Sequence, residues 1–290
     1  MAFFFVRMRD NECSFIDKPT LLMPASSPAK VAGTAAFSKF MVVLQQVADA
    51  EEPVTIASLA RDGDFPRPTV YRIVAALVAE GMLRENPRDN TLSLGPRLMQ
   101  LASRSWSRSD LRVAAVDALK TLRDVTGETV HLAVPNGNTM IYIEKLESPS
   151  AVRMASRIGT SVSMHSTAVG KAYLFALPSD ALDALIPQLE FRRYMPNSIG
   201  DADTLRAQLE AFRSRGWSVD DEENEAGIHC FGAPILDAHG HPIAAVSVST
   251  LRFRQKEDPV AAYVTPLMAA CREIGARVAE TPALAGGRDV

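Results

Sequence analysis

The stretch that decides the fold of the N-terminal region is Asp64–Asn86, DFPRPTVYRIVAALVAEGMLREN. Its apolar residues recur at the spacing of one helix face, at Val70, Ile73, Val74 and Leu77. Pro66 and Pro68 mark the start of this helix, because a first turn tolerates proline where the backbone N–H has no helical partner. Four polar residues lie near that start and away from the apolar face: Arg67, Thr69, Tyr71 and Arg72. A helix that only fills a core needs none of them, so this end is expected to meet a partner.

The residues on either side of this helix predict a winged helix-turn-helix. A helical pattern begins at Phe37, and Thr55 can cap a short second helix over Ile56–Arg61. Gly63 is expected to take a positive φ angle in the tight turn that follows. Two strand-like runs, MLREN and TLSLG, predict a β-hairpin with Arg88 at its tip. In such a fold the second helix of the motif enters the major groove of DNA with its N-terminal residues facing the base edges.

The basic residues of this region are a local feature, because the whole chain has a formal net charge of −3. Between residues 65 and 108 the chain has seven arginines against Glu80, Glu85 and Asp89, a net charge of +4. A basic surface confined to the helix, the wing and the next helix favours double-stranded operator DNA as the partner. A winged helix that binds protein, with arginines that only solvate its surface, stays open as an alternative.

The composition suits a soluble protein of about two domains, with 290 residues, 47% hydrophobic and 22% charged. The three cysteines, Cys13, Cys230 and Cys271, are widely spaced, which argues against a disulfide scaffold and suits a reducing compartment. The first residues lack the pattern of a signal peptide, and no stretch approaches the roughly 20 apolar residues of a membrane span. We therefore expect a cytoplasmic protein without membrane contact.

From Thr129 onward the pattern alternates between strands and helices. TVHLAV and TMIYIEKLE flank an Asn-Gly turn, and IHCFGAPILD and PIAAVSVSTL flank AHGH, so two β-hairpins are predicted. A further strand is expected near AVRMAS (151–156), and helices over Ala168–Phe175, Leu205–Gly216 and Tyr263–Val278. The expected fold class is α+β in two domains, with an antiparallel sheet in the second. The expected ranges are 1–33 for a disordered arm, 34–95 for the winged helix-turn-helix, 96–126 for linker helices that break near Ser107–Asp110, 127–282 for the α/β domain and 283–290 for a flexible tail.

The helix that begins at Ala168 predicts a site for an anion. Ser166 or Thr167 can cap it, which leaves the backbone N–H groups around Ala168, Val169 and Gly170 at the positive end of the helix dipole. Such an end attracts a carboxylate. The alternative is a capped helix that simply packs on the sheet.

The strand VSVST predicts polar groups in the same interior. Ser247 and Ser249 alternate on one face of this strand, while Val246 and Val248 take the other face. Hydroxyls that face inward from a covered sheet need polar partners, which a small polar ligand or buried water can supply. Cys230, on the neighbouring hairpin strand, is expected to line the same cavity.

Two patterns in the sequence resemble enzyme sites. His229 and Cys230 resemble a nucleophile pair, but adjacent residues of a strand point to opposite faces and cannot readily share a proton. A metal site would be built from His229, His239 and His241 with Asp220 or Glu222. The loop 239–241 is a hairpin turn in which polar residues are expected anyway. A metal-binding or enzymatic α/β domain fused to a helical interaction module is the alternative function; the favoured one needs no catalytic residue, metal or cofactor.

Taken in order and spacing, five segments resemble those of the IclR family of bacterial transcriptional regulators: FPRPTVYRIVAALVAEGMLREN, TLSLGPRLMQLA, MHSTAVGKAYLFAL, RGWSVDDEENEAGIHCFGAPILD and PIAAVSVST. The resemblance covers the chain from about Thr34 to Glu280. It implies a GAF-like effector-binding domain behind the winged helix and a DNA-binding homodimer, often a dimer of dimers. It also implies a small metabolite, commonly an organic or aromatic acid, that alters operator binding.

The resemblance assigns roles to particular residues. The implied effector-binding positions are Ala168, Val169, Asp220, Cys230, Ser247 and Ser249. The expected major-groove contacts are Arg67, Thr69, Tyr71 and Arg72, with Arg88 on a phosphate or in the minor groove. The expected function is an effector-responsive regulator, a repressor or a dual regulator, of a catabolic or metabolic operon.

Overall fold

The computed structural model describes residues 34–50, 52–107, 110–152 and 154–280. The expected arm over 1–33 and the expected tail over 283–290 therefore lie outside the described residues. The elements of the N-terminal domain are α1 (Ala35–Asp49), β1 (Val54–Thr55), α2 (Ile56–Asp62), α3 (Arg67–Ala79), β2 (Leu83–Glu85) and β3 (Thr91–Leu94).

These elements form the predicted winged helix-turn-helix. The strands β2 and β3 pair as an antiparallel hairpin, and β1 joins them to give the sheet order β1-β3-β2. The helix α3 begins at Arg67, with Pro66 just before it and Pro68 in its first turn, as expected. Strand β1 was not predicted from the sequence, because two residues show no periodicity.

The turn between α2 and α3 confirms one local prediction and corrects another. The Thr55 hydroxyl accepts a hydrogen bond from the Ser58 N–H at 3.1 Å, so Thr55 caps α2. The expectation of a positive φ at Gly63 is wrong, since its φ angle is −100°. The Gly63 N–H donates to the Leu59 carbonyl at 3.0 Å, and a Cβ at Gly63 would clash with that same oxygen. Close backbone approach, and not a left-handed conformation, therefore favours glycine here.

The core of this domain lies behind the apolar face of α3. Burying such an aliphatic side chain stabilises the fold by about 1.5–3 kcal/mol. The buried apolar residues of this core are Val43, Leu44, Val47, Leu59, Val70, Ile73, Val74, Leu77, Leu83 and Leu92.

Two helices follow the wing, α4 (Pro96–Ser107) and α5 (Asp110–Thr126). They lie on either side of residues 108–109, where the break was expected. Gly127 ends α5 with a φ angle of +69°, and its N–H donates to the Arg123 carbonyl at 2.8 Å.

The C-terminal domain is built on a six-stranded antiparallel sheet of order β6-β5-β4-β9-β8-β7. Both predicted hairpins are present, as β4–β5 and β8–β9. A π-helical turn over Val260–Val264 precedes the last helix. The elements are β4 (Thr129–Asn136), β5 (Thr139–Leu146), β6 (Ser161–Ser163), α6 (Ala168–Ala176), α7 (Ser179–Leu185), α8 (Ala202–Arg215), β7 (Ser218–Asp221), β8 (Ile228–Leu236), β9 (Pro242–Leu251) and α9 (Thr265–Glu280).

The strand expected near 151–156 is wrong. The edge strand is β6, and the described residues of 151–156 form no strand. The Lys145 ammonium donates to the carbonyls of Met154 and Ser156, both at 2.7 Å. Because these carbonyls bond to a side chain, that segment does not add to the sheet.

Helices cover both faces of the sheet. Val246 and Val248 pack with α5 and α9 on one face, while Ala133, Met140 and Ala245 pack with α6 and α8 on the other. The side chains of β9 therefore alternate between two buried layers, as the sequence predicts. In the part of the chain that the structure describes, no helix combines the length and apolar character needed to span a membrane.

Candidate functional site

The N-terminal end of α3 presents the four residues predicted to contact DNA. Arg67, Tyr71 and Arg72 are exposed, and Thr69 is half-buried. The Arg67 guanidinium lies 5.6 Å from the centroid of the Tyr71 ring and donates to the Tyr71 hydroxyl at 3.4 Å. This contact holds two of the polar side chains together at the helix start, while Val70 is buried behind them.

Arg88 lies exposed in the turn between β2 and β3. The turn is fixed by Asp89, which accepts from the Asn86 amide at 3.1 Å and from the Thr91 N–H at 3.0 Å. The bonds from Thr91 also hold the pKa of Asp89 below its ordinary value. Among the described residues, the guanidinium groups of Arg72 and Arg88 form no ion pair, so both are available to a polyanion.

Strand register brings the predicted effector residues of the sheet together. Asp220 on β7 pairs with Cys230 on β8, and Cys230 pairs with Ser249 on β9. The Cys230 thiol donates to the Ser249 hydroxyl at 3.2 Å. Two residues further along β9, Ser247 pairs with Gly232 on β8 and with His131 on β4. Since paired residues of antiparallel strands share a face, all of these side chains lie under α6.

The start of α6 faces this layer with unbonded donors. The Thr167 hydroxyl accepts from the Gly170 N–H at 3.1 Å, so Thr167 is the cap, while Ser166 instead donates to the Asn224 side-chain oxygen at 3.1 Å. Ala168 and Val169 are both buried. Within the described residues, their backbone N–H groups have no hydrogen-bond partner.

Close packing sets the start of α6 directly on β8. A Cβ at Gly232 would clash with the Ala168 carbonyl, and the Ser218 hydroxyl donates to that carbonyl at 2.7 Å. Gly232 pairs with Ser247 in the sheet. The start of α6 therefore packs over Gly232, the cross-strand partner of Ser247. The Ser247 side chain is 2% exposed, and its hydroxyl has no hydrogen bond among the described residues.

Two aromatic residues of the same face were missed by the sequence argument. The His131 ring stacks on the Tyr142 ring with centroids 4.5 Å apart. His131 Nε2 lies 2.7 Å from the Ser156 hydroxyl, and its Nδ1 lies 3.4 Å from the Ser249 hydroxyl. Burial, together with the Lys145 ammonium, lowers the pKa of His131 to about 3, so the ring is neutral at physiological pH.

A buried ion pair borders the site. The Lys171 side chain on α6 is fully buried and pairs with Glu223, whose side chain is 5% exposed. The Lys171 ammonium also donates to the Gln208 side-chain oxygen at 3.3 Å and lies 5.5 Å from the centroid of the Phe212 ring. These contacts join α6 to α8 and to the loop after β7. One Glu223 oxygen, Oε2, has no hydrogen-bond partner among the described residues.

Asp220 is the titrating group of the site near neutral pH. Burial raises the pKa of Asp220 to about 7, although the Lys171 charge and the bond from the Glu223 N–H, at 2.9 Å, lower it. Burial also raises the pKa of Cys230, so this residue is a neutral thiol rather than a thiolate. A neutral carboxylic acid and a neutral thiol can both lie beside an anionic ligand.

The residues considered for metal binding or nucleophilic catalysis do not meet. His229 packs on the Phe231 ring, centroids 4.8 Å apart, on the face opposite Cys230. His241 Nδ1 lies 3.7 Å from an Asp237 carboxylate oxygen in the β8–β9 turn. In the described ranges, no group of three or more His, Cys, Asp or Glu could hold a metal ion.

A groove of about 670 Å³ lies at the other end of α6, between the β8–β9 hairpin and α9. Ala176, Leu236 and Gly275 are among its lining residues, and it includes none of the predicted effector residues. The groove therefore does not coincide with the candidate effector site, which is defined by the unbonded polar groups at the start of α6.

The fold and the site together define the class: a winged helix-turn-helix domain joined to an α/β domain with a buried cluster of polar groups. The family model "IclR helix-turn-helix domain" matches residues 38–87, and "Bacterial transcriptional regulator IclR C-terminal" matches residues 103–276. The chain belongs to the IclR family of bacterial transcriptional regulators, which combine a helix-turn-helix domain with an effector-binding domain.

Individual proteins support this membership. The HTH-type transcriptional regulator KdgR of Dickeya chrysanthemi is 31% identical over 236 residues, which cover 81% of this chain and 77% of that protein. The crystal structure of Thermotoga maritima IclR has a TM-score of 0.70 at 31% identity and covers 84% of this chain and 98% of that one. An IclR homolog from Microbacterium hydrocarbonoxydans, solved with 4-hydroxybenzoate, has a TM-score of 0.74 at 23% identity, covers 85% of this chain and 100% of that one, and shares its fold.

Proposed function

We propose that this protein is an effector-responsive transcription factor that acts in the cytoplasm as a homodimer or a dimer of dimers. The winged helix-turn-helix, over 34–95, binds double-stranded operator DNA, and linker helices over 96–126 join it to the effector domain over 127–282. Arg67, Thr69, Tyr71 and Arg72 contact the major groove, and Arg88 contacts a phosphate or the minor groove. The exposed, unpaired guanidinium groups of Arg72 and Arg88 support this role. A good bidentate arginine–guanine contact discriminates by about 1–3 kcal/mol.

The effector is a small organic acid held between the start of α6 and the sheet. The observation that carries this assignment is a set of donors without acceptors on three buried residues: the N–H groups of Ala168 and Val169 and the hydroxyl of Ser247. Donors inside a covered site are satisfied by a ligand or by water. A carboxylate has two acceptor oxygens and is attracted by the positive end of a helix.

The remaining predicted residues complete the site. Asp220 in its protonated form donates to the ligand, and Cys230 and Ser249 form a hydrogen-bonded pair beside it. Binding changes the affinity for the operator by favouring one of two arrangements of the protein, as differential affinity requires. A regulator of this design acts as a repressor or a dual regulator of a metabolic operon.

The test is calorimetric titration of the purified full-length chain with benzoate, 4-hydroxybenzoate, pyruvate and lactate. We expect at least one acid to bind. We expect Ser247→Ala to weaken the binding of that acid by about tenfold, which is the scale of one lost hydrogen bond. Ser214→Ala, an exposed serine on α8, is the matched control and leaves the affinity unchanged. Equal affinity in the wild type and Ser247→Ala, or no binding by any acid, would contradict the assignment.

A further inference from the structure

The stacked pair of His131 and Tyr142 forms a wall of the effector site opposite the start of α6. Tyr142 pairs with Ala133 across β4 and β5. Ala133 and His131 are two residues apart on β4, so His131 and Tyr142 share one face of the sheet. Both ring nitrogens of His131 lie against serine hydroxyls, Ser156 and Ser249. The orientation of the His131 ring is therefore fixed, and the Tyr142 ring is held against it.

The Tyr142 hydroxyl is the polar group of this wall that is left without a partner. Among the described residues it makes no hydrogen bond, and only the ring face is engaged. Burial raises the pKa of Tyr142, so the phenol is neutral. Tyr142 pairs with Ala133, so it lies on the same sheet face as His131, Ser247 and Ser249, the face that carries the predicted carboxylate site.

Strand spacing fixes the distance between the two ends of the site. Ser247 on β9 and Tyr142 on β5 are separated by one strand, β4. Neighbouring strands are about 4.8 Å apart, so the two backbones are about 10 Å apart. His131 on β4 lies between them, since it pairs with Ser247 and stacks on the Tyr142 ring. A molecule of a few carbon atoms with a polar group at each end, lying over His131, spans a separation of this size.

We propose that Tyr142 is a specificity-determining residue of the effector site, and that its hydroxyl hydrogen-bonds to an oxygen at the end of the effector remote from the carboxylate. The effector is therefore a hydroxy acid or an oxo acid rather than a simple carboxylic acid. This inference rests on the proposed function, because it takes the carboxylate to lie at the start of α6.

The test compares pairs of acids that differ by one oxygen at the end remote from the carboxylate: 4-hydroxybenzoate against benzoate, and 4-hydroxypentanoate and 4-oxopentanoate against pentanoate. Dissociation constants are measured by calorimetry for the wild type, Tyr142→Phe and Tyr173→Phe. Tyr173 is a half-buried tyrosine on the same helix as Ala168 and serves as the control. Tyr142→Phe keeps the ring and its stacking and removes only the hydroxyl.

In the wild type we expect the oxygenated member of at least one pair to bind about tenfold more tightly, and Tyr142→Phe to abolish that preference while the affinity for the simple acid is kept. Tyr173→Phe retains the preference. Acids that bind without preference for the added oxygen, or a preference that survives in Tyr142→Phe, would overturn the inference and leave the carboxylate site intact. Failure of every acid to bind would overturn both.

Discussion

At the residue scale, Asp220 sets the charge of the proposed effector site. Its pKa is raised by burial from 3.8 to about 7, so the folded protein holds this proton over a range in which the unfolded chain has released it. Between about pH 4 and pH 7 the folded state therefore binds more protons than the unfolded state. The stability that Asp220 contributes is present at low pH and is lost as the pH rises through this window.

Asp220→Asn tests this linkage. We predict that the free energy of unfolding of the wild type, minus that of Asp220→Asn, falls as the pH rises from about 4 to 7, with a slope of at most about 1.4 kcal/mol per pH unit. The low pKa of His131 acts in the opposite direction, but it is common to both proteins and cancels in the difference. Urea denaturation at several pH values gives the measurement. A difference that is constant or rises with pH would show that Asp220 is ionised in the folded protein.

Some residues of the site could be predicted from the sequence, and others could not. The shared face of Ser247 and Ser249 follows from strand alternation, which is a local rule. The position of His131 near Ser249 depends on the pairing of β4 with β9, and these two residues are 118 positions apart in the chain. Tyr142 lies opposite Ala133 in the β4–β5 hairpin, so its place in the site depends on the same pairing of β4 with β9. Such long-range register has no signature in a single sequence.

At the scale of elements, the buried pair of Lys171 and Glu223 joins α6 to the loop after β7. Removing one partner of a buried ion pair leaves the other charge uncompensated, which costs about 3–5 kcal/mol. We predict that Lys171→Met destabilises the C-terminal domain by this amount, while the double variant Lys171→Met/Glu223→Leu recovers much of the loss, because it removes both charges.

The control is the exposed pair of Arg206 and Asp183, whose nitrogen–oxygen distance is 2.5 Å. Exposed pairs contribute about 0–1 kcal/mol, so Arg206→Ala changes stability by no more than that. Urea denaturation of the four proteins provides the comparison. Two results would contradict the role of this buried pair. One is that Lys171→Met lowers the free energy of unfolding no more than Arg206→Ala does. The other is that the double variant is less stable than Lys171→Met.

The elements themselves were predicted with uneven success. The long helices α1, α3 and α9 have a local periodic pattern, and so do the two hairpins with their turn residues. Strands β1 and β7, of two and four residues, are too short to show periodicity. The strand expected over 151–156 fails because Lys145 takes up its carbonyls, a tertiary contact that overrides local propensity.

At the scale of the whole molecule, the central claim is that one chain couples operator DNA to a small acid. Coupling between two binding sites is reciprocal, so an acid that changes the affinity for DNA is itself bound with an affinity that DNA changes. Typical coupling changes affinity by about 5–150-fold. The claim therefore requires both binding activities in one protein and a measurable effect of each on the other.

The most direct measurement is fluorescence anisotropy of the full-length protein with duplex DNA from the intergenic region upstream of its gene. Scrambled duplex serves as competitor, and the titration is repeated across a salt series with and without the acid that binds most tightly by calorimetry. Arg72→Ala and Arg206→Ala are measured alongside. We predict binding that resists the competitor and falls linearly in log affinity with log salt. We also predict a shift of about fivefold or more on adding acid, and about tenfold weaker binding by Arg72→Ala alone. Weak binding that is equal for both duplexes at every salt concentration, with and without acid, would contradict the account.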